Sequence, residues 1–404
     1  MRLRIKEICD YVSRGTTPDY VDEGANKVMN QATFSKGWID ESNIRYTSKA
    51  NKGARIMKGD LLMASTGGGV LGKVFFFDDD DSFYADSHVT IMRNSKGANL
   101  MKYLYYYFYL RYDEINATMV KGSTNQTELQ RNYLLSYELD VPTLADQQRM
   151  VTYLDTKLSE IDHQVSLLTS KRDAYLRLKK SIINHAVTRG LNPNVKMKDS
   201  GIEWIGEVPE HWEVKRMKDI FFERKELSLT GEEDLLSVSE FYGVARRKDK
   251  MNSDEEFESR ADSLVGYKIC KAHDLVINIM LAWKTGLGIS DNDGIVSPAY
   301  AVYEGRNIAS HFYHYLLRSG MYVKEFKRHS KGIIDSRLRL YNDRFNNISA
   351  IYPPLPEQRA IATYLDDKCA KIDTIVSNLD KQISRYADLK RSLIDEVITG
   401  KRAV

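Results

Sequence analysis

The chain has 404 residues, more than one compact core usually serves, so at least two domains are expected. Its 59 basic and 56 acidic side chains leave a net charge of only +3, which excludes a uniformly basic nucleic-acid coat and confines any acidic partner to local patches. Three scattered cysteines without metal-ligand spacing, a charged start (MRLRIKEICDYV) and the lack of any apolar run of about 18 residues predict a reduced, cytoplasmic protein with no zinc site and no membrane span.

Residues 1–141 read as a first mixed domain. Apolar runs at 56–64, 73–77 and 88–93 predict strands, with turns at 15–18 (GTTP) and 78–81 (DDDD). LMKYLYYYFYLRY at 100–112 predicts a short aromatic helix facing the core, and KGSTNQ at 121–126 is a polar loop. GGGVLGK at 67–73 matches the start of a phosphate-binding loop, G-x-x-x-x-G-K. Val74 stands where the magnesium-binding hydroxyl belongs, and a strand-like VFFF follows instead of a helix whose N-terminus could face phosphates. The segment is therefore read as a tight turn or a close backbone approach to a ligand.

Residues 142–190 predict one long helix. Apolar side chains recur at alternating spacings of three and four: Val151, Leu154, Leu158, Ile161, Val165, Leu168, then Tyr175, Ile182 and Ala186. This 3.5-residue seam is a coiled-coil pattern. Arg172 and Lys179 interrupt it. A linker, 191–213, carries Pro193, Pro209, Gly201 and Gly206, and its Trp204 and Trp212 predict that it packs against something.

Residues 214–351 repeat the first domain with diverged sequence. Lys218-Asp219-Ile220 answers Lys6-Glu7-Ile8, Asp274-Leu275-Val276 answers Asp60-Leu61-Leu62, and Lys331-Gly332 answers Lys121-Gly122. The frame is shared but the loops are not: KGSTNQTEL in one, KGIIDSRLRL in the other. Residues 352–400 then repeat the long helix. Tyr364 lies 211 positions after Tyr153, and that offset holds without a gap from Pro142/Pro353 to Thr188/Thr399. The second seam runs Ala362, Leu365, Cys369, Ile372, Val376, Leu379, Ile383, Tyr386, Leu393, Val397, interrupted at Lys390.

A helix of about 42 residues is roughly 63 Å long, and its apolar stripe needs a partner of similar length. The other copy is the obvious one, and antiparallel pairing is favoured because long segments separate the copies; two separate helical hairpins are the competing arrangement. The fold class expected is thus α+β: two α/β domains separated by an antiparallel coiled coil of two long repeated helices, with pseudo-two-fold symmetry. There is no G-x-S-x-G, no H-E-x-x-H, no dinucleotide fingerprint and no Asn/Asp-Pro-Pro-Tyr/Phe motif, so a non-enzymatic chain is expected. His88 and His185 read as packed or solvated.

The repeated P-x-L-x-(D/E)-Q, TYLD-x-K and Ile-Asp motifs (161–162, 372–373), with the linker DSGIEWIGEVPEHW at 199–212, resemble the specificity subunits of type I restriction–modification systems. The resemblance covers nearly the whole chain and is most specific in the helices and linker. It implies two target recognition domains (1–141 and 214–351), each reading half of a bipartite double-stranded DNA site. It also implies that the helices (142–190 and 352–400) set the spacer and dock two methyltransferase subunits, with restriction–translocase subunits joining the complex. S-adenosylmethionine, ATP and magnesium would be cofactors of those partners, none of this chain. One departure is that no counterpart of the linker signature precedes the first domain.

Base readout uses Asn, Gln, Arg, Lys, Ser and Thr on loops facing a groove, while phosphates take cations. The candidates in the first domain are Thr16, Thr17, Asn30, Gln31, Lys36, Lys73, Lys121, Ser123, Thr124, Asn125 and Gln126. In the second they are Arg246, Arg247, Lys248, Lys284, Arg328, Lys331, Arg337 and Arg339. For each, an ordinary solvated side chain is the competing reading. A coiled-coil scaffold tethering two protein-binding domains, without DNA, is the alternative function, and a stand-alone methyltransferase or nuclease has least support.

Overall fold

The computed structural model describes residues 1–95, 97–121, 127–250 and 263–404. It divides into two compact units, one of residues 1–169 with 381–404 and one of 170–380, so both long helices contribute to both units. The helices run Leu144–Arg189 and Leu355–Ile398. Each is followed by a glycine in the left-handed region, Gly190 (φ 75°) and Gly400 (φ 76°), where a side chain would be strained. No helix among the described residues is long and apolar enough to cross a membrane.

In the first unit a four-stranded antiparallel sheet has the order Tyr11–Arg14, Val89–Arg93, Leu61–Ala64, Val74–Phe76. The stretch expected as one strand over 56–64 is broken: Arg55–Ile56 joins a second, five-stranded sheet, and Leu61–Ala64 joins the first. The break is a turn in which buried Asp60 accepts from the Met57 backbone N–H and from Arg93. A short pair, Arg2–Arg4 with Glu138–Asp140, closes the domain on itself. The aromatic helix Ala98–Leu110 buries Met101, Tyr103, Leu104, Tyr106, Tyr107 and Phe108. They share one core with Val151, Leu154, Leu158 and Ile161 of the first long helix and Leu393, Ile394, Val397 and Ile398 of the second.

In the second unit the four-stranded sheet has the order Phe221–Glu223, Ala301–Gly305, Leu275–Ile277, Leu287–Ile289, the same sequence of partners as in the first. Glu213–Arg216 pairs with Ser349–Tyr352, again as at the start of the first unit. The linker forms a small antiparallel pair, Met197–Asp199 with Glu207–Pro209. Its Trp212 is fully buried and donates its indole N–H to Glu357 at 2.9 Å, which also meets His211 at 2.7 Å. Ala186 and Val187 of the first long helix and Ile361, Ala362 and Leu365 of the second belong to this unit's core.

The long helices pair antiparallel inside each unit. In the second, Arg172 meets Asp380 and, seven residues on, Lys179 meets Asp373. In the first, Asp162 meets Lys390 while Tyr153, nearer the helix start, meets Arg402. The residues that interrupt the apolar seam, Arg172, Lys179 and Lys390, are the ones that cross-link it.

Candidate nucleic-acid interface

Matching positions of the two units are furnished differently, and the helix beside each sheet shows how. Tyr106 donates to Asp155 at 2.6 Å in the first unit, and Tyr315 donates to Asp366 at 2.7 Å in the second; the two aspartates are repeat counterparts. Three residues beyond each tyrosine stand Tyr109 and Arg318. Arg318 reaches inward and donates to the carbonyls of Thr285, Leu287, Glu240 and Phe241, filling the space next to its sheet. Tyr109 is 45% exposed and borders an open cavity of about 340 Å³ instead.

Lys36 and Lys73 line that cavity with Tyr105 and Tyr112. Lys36 pairs with Asp40 at 2.7 Å, and this contact, with that of Ser42, pulls the Asp40 carboxyl down to about 2. Lys73 is half-buried and donates to the Ser35 carbonyl at 3.2 Å. Gln31 has a buried amide oxygen without a hydrogen-bond partner. Asn30 caps the helical turn Gln31–Phe34, accepting from the N–H groups of Ala32 and Thr33, so its oxygen is already engaged in the fold. Thr16 accepts from Asn51 at 3.3 Å, and Thr17 is exposed. Lys121 is exposed, with its ammonium 5.4 Å from the Tyr133 ring. Ser123, Thr124, Asn125 and Gln126 lie outside the described residues.

In the second unit the candidates fall into two groups. Arg246 and Lys248 both pair with Asp234, at 3.3 and 2.7 Å, and Lys248 above all holds that carboxyl below its ordinary range. Arg247 sits between them, its N–H bonded to the Leu235 carbonyl. They follow the hairpin Leu236–Ser239/Gly243–Arg246, whose tip presents Phe241 at 91% exposure. The other group surrounds the helix Gly320–His329 and the loop after it. Arg328 is held by Glu325 at 2.6 Å, and Arg328, Lys331 and Arg344 line a cavity of about 390 Å³. Lys331 and Arg339 exchange backbone hydrogen bonds at 2.9 Å, and Arg337 projects into solvent. Lys284 is exposed, and it and Lys327 each lie 4.9 Å from the Trp283 ring.

Cations around a flat aromatic ring and on pinned loops suit a polyanion with stacked rings. Sequence reasoning missed Trp283, Phe241, Lys327 and Arg344. Trp283, Phe241 and Arg344 signal only as an apolar or charged residue set among turn-formers, and Lys327 as one cation on a charged helix, too weak without the fold.

The model of the type I restriction modification DNA specificity domain matches residues 1–167 and 209–385. The chain is 21% identical over 329 residues to the type I restriction enzyme MjaVIII specificity subunit of Methanocaldococcus jannaschii, spanning 77% of this chain and 73% of that one. It is 22% identical over 272 residues to the StySPI specificity subunit of Salmonella potsdam, spanning 65% and 57%. Among solved structures, a chain from work on complex assembly and conformational transition of the type I R-M system superposes with a TM-score of 0.68 at 13% identity, covering 98% of this chain and 97% of that one. The HsdS subunit from Thermoanaerobacter tengcongensis gives a TM-score of 0.50 at 14% identity, with 100% and 97% covered. With two matched segments that together take in most of its length, each holding one of the paired sheets, the chain belongs to the type I restriction–modification DNA specificity family.

Proposed function

We propose that each unit reads one half of a bipartite double-stranded DNA site and that the helix pair fixes the unread gap between the halves. The observation that carries this is one frame furnished twice. The sheet order is the same in both units, while the groups placed on the loops differ: Lys36, Lys73 and Lys121 in one, Arg246, Lys284, Arg328 and Lys331 in the other. A shared scaffold with unlike loops is how two unlike sequences come to be recognised by related modules.

The chain carries no chemistry of its own in this reading. It acts in the cytoplasm inside a larger DNA adenine methyltransferase and ATP-dependent restriction complex, with S-adenosylmethionine, ATP and magnesium held by the partner subunits. Docking of two methyltransferase subunits is supported by Leu178 and Leu389, repeat counterparts on the long helices that stay 46% and 49% exposed. Each would offer the same apolar foothold to one partner.

Exchanging residues 1–141 for the corresponding segment of another family member tests the reading. Mapping methylated adenines should then show one half-site changed and the other intact, at an unchanged gap. A change in both halves would overturn it.

A further inference from the structure

The loop after the helix Gly320–His329 is tied down at several points. Lys331 and Arg339 exchange two backbone hydrogen bonds across its base. Lys327 on the helix bonds Asp335 at 3.0 Å from the side. Gly332 closes the turn, since a Cβ there would lie 2.6 Å from the Arg337 carbonyl oxygen. Leu338 and Leu340 turn inward and are buried, whereas Ile333 at the apex is 100% exposed and Ile334 53%.

One exposed isoleucine is ordinary on a protein surface; its setting here is not. Residues 320–344 carry seven basic against three acidic side chains, an excess of four, where the whole chain has an excess of three. Among the described residues none of Lys331, Arg337 and Arg339 has a carboxylate partner within salt-bridge distance. An apolar tip between unneutralised cations matches a ligand with an anionic rim and an apolar interior. Duplex DNA has that character, with phosphates outside and stacked bases within. A protein pocket with an acidic rim would match the same pattern; the duplex is favoured because this loop belongs to the unit assigned above to a DNA half-site, and a protein contact is one outcome of the test below.

We infer that Ile333 is a wedge that enters the base stack in the half-site read by the second unit, while Lys331 and Arg337 hold the flanking phosphates. This rests on the DNA-reading assignment above. The first unit has Ser123-Thr124 at the matching place in the sequence, so the wedge is a property of one half-site only.

The test uses the full chain with its methyltransferase partner and duplexes of its methylated site, in which 2-aminopurine replaces one base at a time. Emission should rise several-fold at a step in the second unit's half, away from the methylated adenine, and nowhere comparable in the other half. Ile333→Ala should erase that rise while the complex still protects the site from nuclease; the side chain is wholly in solvent, so the fold is not at stake. A pattern unchanged by Ile333→Ala, or no rise in that half, would overturn the wedge and leave the DNA reading standing. Loss of the methyltransferase partner in Ile333→Ala would make the loop a protein contact and overturn it too. Failure of the unaltered complex to protect any site would sink the DNA reading itself.

Discussion

Lys179 donates to both carboxylate oxygens of Asp373 at 2.6 Å, and Lys390 donates to Asp162 at 2.7 Å. Each partner in one pair is the counterpart, 211 residues away, of the same residue type in the other. A lysine at a seam position weakens a coiled coil unless it finds a carboxylate across the seam, and then it penalises every shifted register. Reversing one charge (Lys179→Asp) should lower stability by about 1 kcal/mol, or ~2–4 °C for a unit of this size. The double exchange Lys179→Asp with Asp373→Lys should recover most of that loss. Thermal melts at low and high salt check this. A double variant no better than the single one would show that the pair does not set the register.

The long helices were legible because their information is periodic and duplicated: the 3.5-residue seam names the buried face and the constant offset names the partner. The shared sheet order was legible only in outline, since Asp60 and Asp274 mark the same turn while most strand residues have diverged. The loops were illegible for a physical reason. Asn30 is the residue type that reads adenine, but its oxygen caps a helical turn, and composition does not separate the two uses. Nor does sequence show that Arg318 fills from within a space that Tyr109 leaves open, because that depends on where four backbone carbonyls point.

His314 lies half-buried on the helix Ser310–Leu317, where its Nδ1 accepts from the Ile289 backbone N–H at 3.3 Å. Burial, with Arg318 and His311 nearby, pushes its imidazole down from 6.5 to about 3. The unfolded chain takes up this proton near pH 6.5 and the folded chain does not. The stabilisation is therefore complete above pH 6.5 and is lost as the pH falls from there toward 3. Between pH 7.5 and 5 the loss should be about 2 kcal/mol from this group alone. Urea unfolding followed by tryptophan emission in a Trp38→Phe background reports on the second unit, which holds the other three tryptophans, Trp204, Trp212 and Trp283. His314→Gln should flatten the pH slope between 7.5 and 5, and an unaltered slope would mean the imidazole is not held neutral.

Lys331 and Lys121 are exposed cations at matching places in the two units. If each meets one phosphate, Lys331→Ala should weaken binding of the complex to its own site and to random DNA alike. The slope of log affinity against log salt should become shallower by about 0.9. Lys121→Ala should do the same. A variant that instead loses discrimination at one base, with the salt slope intact, would move that lysine from the phosphates to a base edge.

Leu178 and Leu389 are equivalent by the repeat and both remain about half exposed; one such leucine is ordinary on a surface, but the same exposure at both counterpart positions is what two copies of one partner would use. Leu178→Asp leaves the core clusters untouched, so folding should lose only about 1 kcal/mol, from helix propensity and part of one leucine's burial. Placed under a partner, the same carboxylate would be desolvated without a counter-charge, which is far more costly. Leu178→Asp should therefore drop one methyltransferase subunit from the complex, Leu389→Asp the other, and the double variant both, as light scattering on the eluted complexes would record. Because each leucine belongs to a different unit, the two single variants should lose the partner with nearly the same affinity change. A double variant that still carried two subunits would place the docking surface elsewhere on the helices, and unequal losses would break the equivalence that the 211-residue repeat implies.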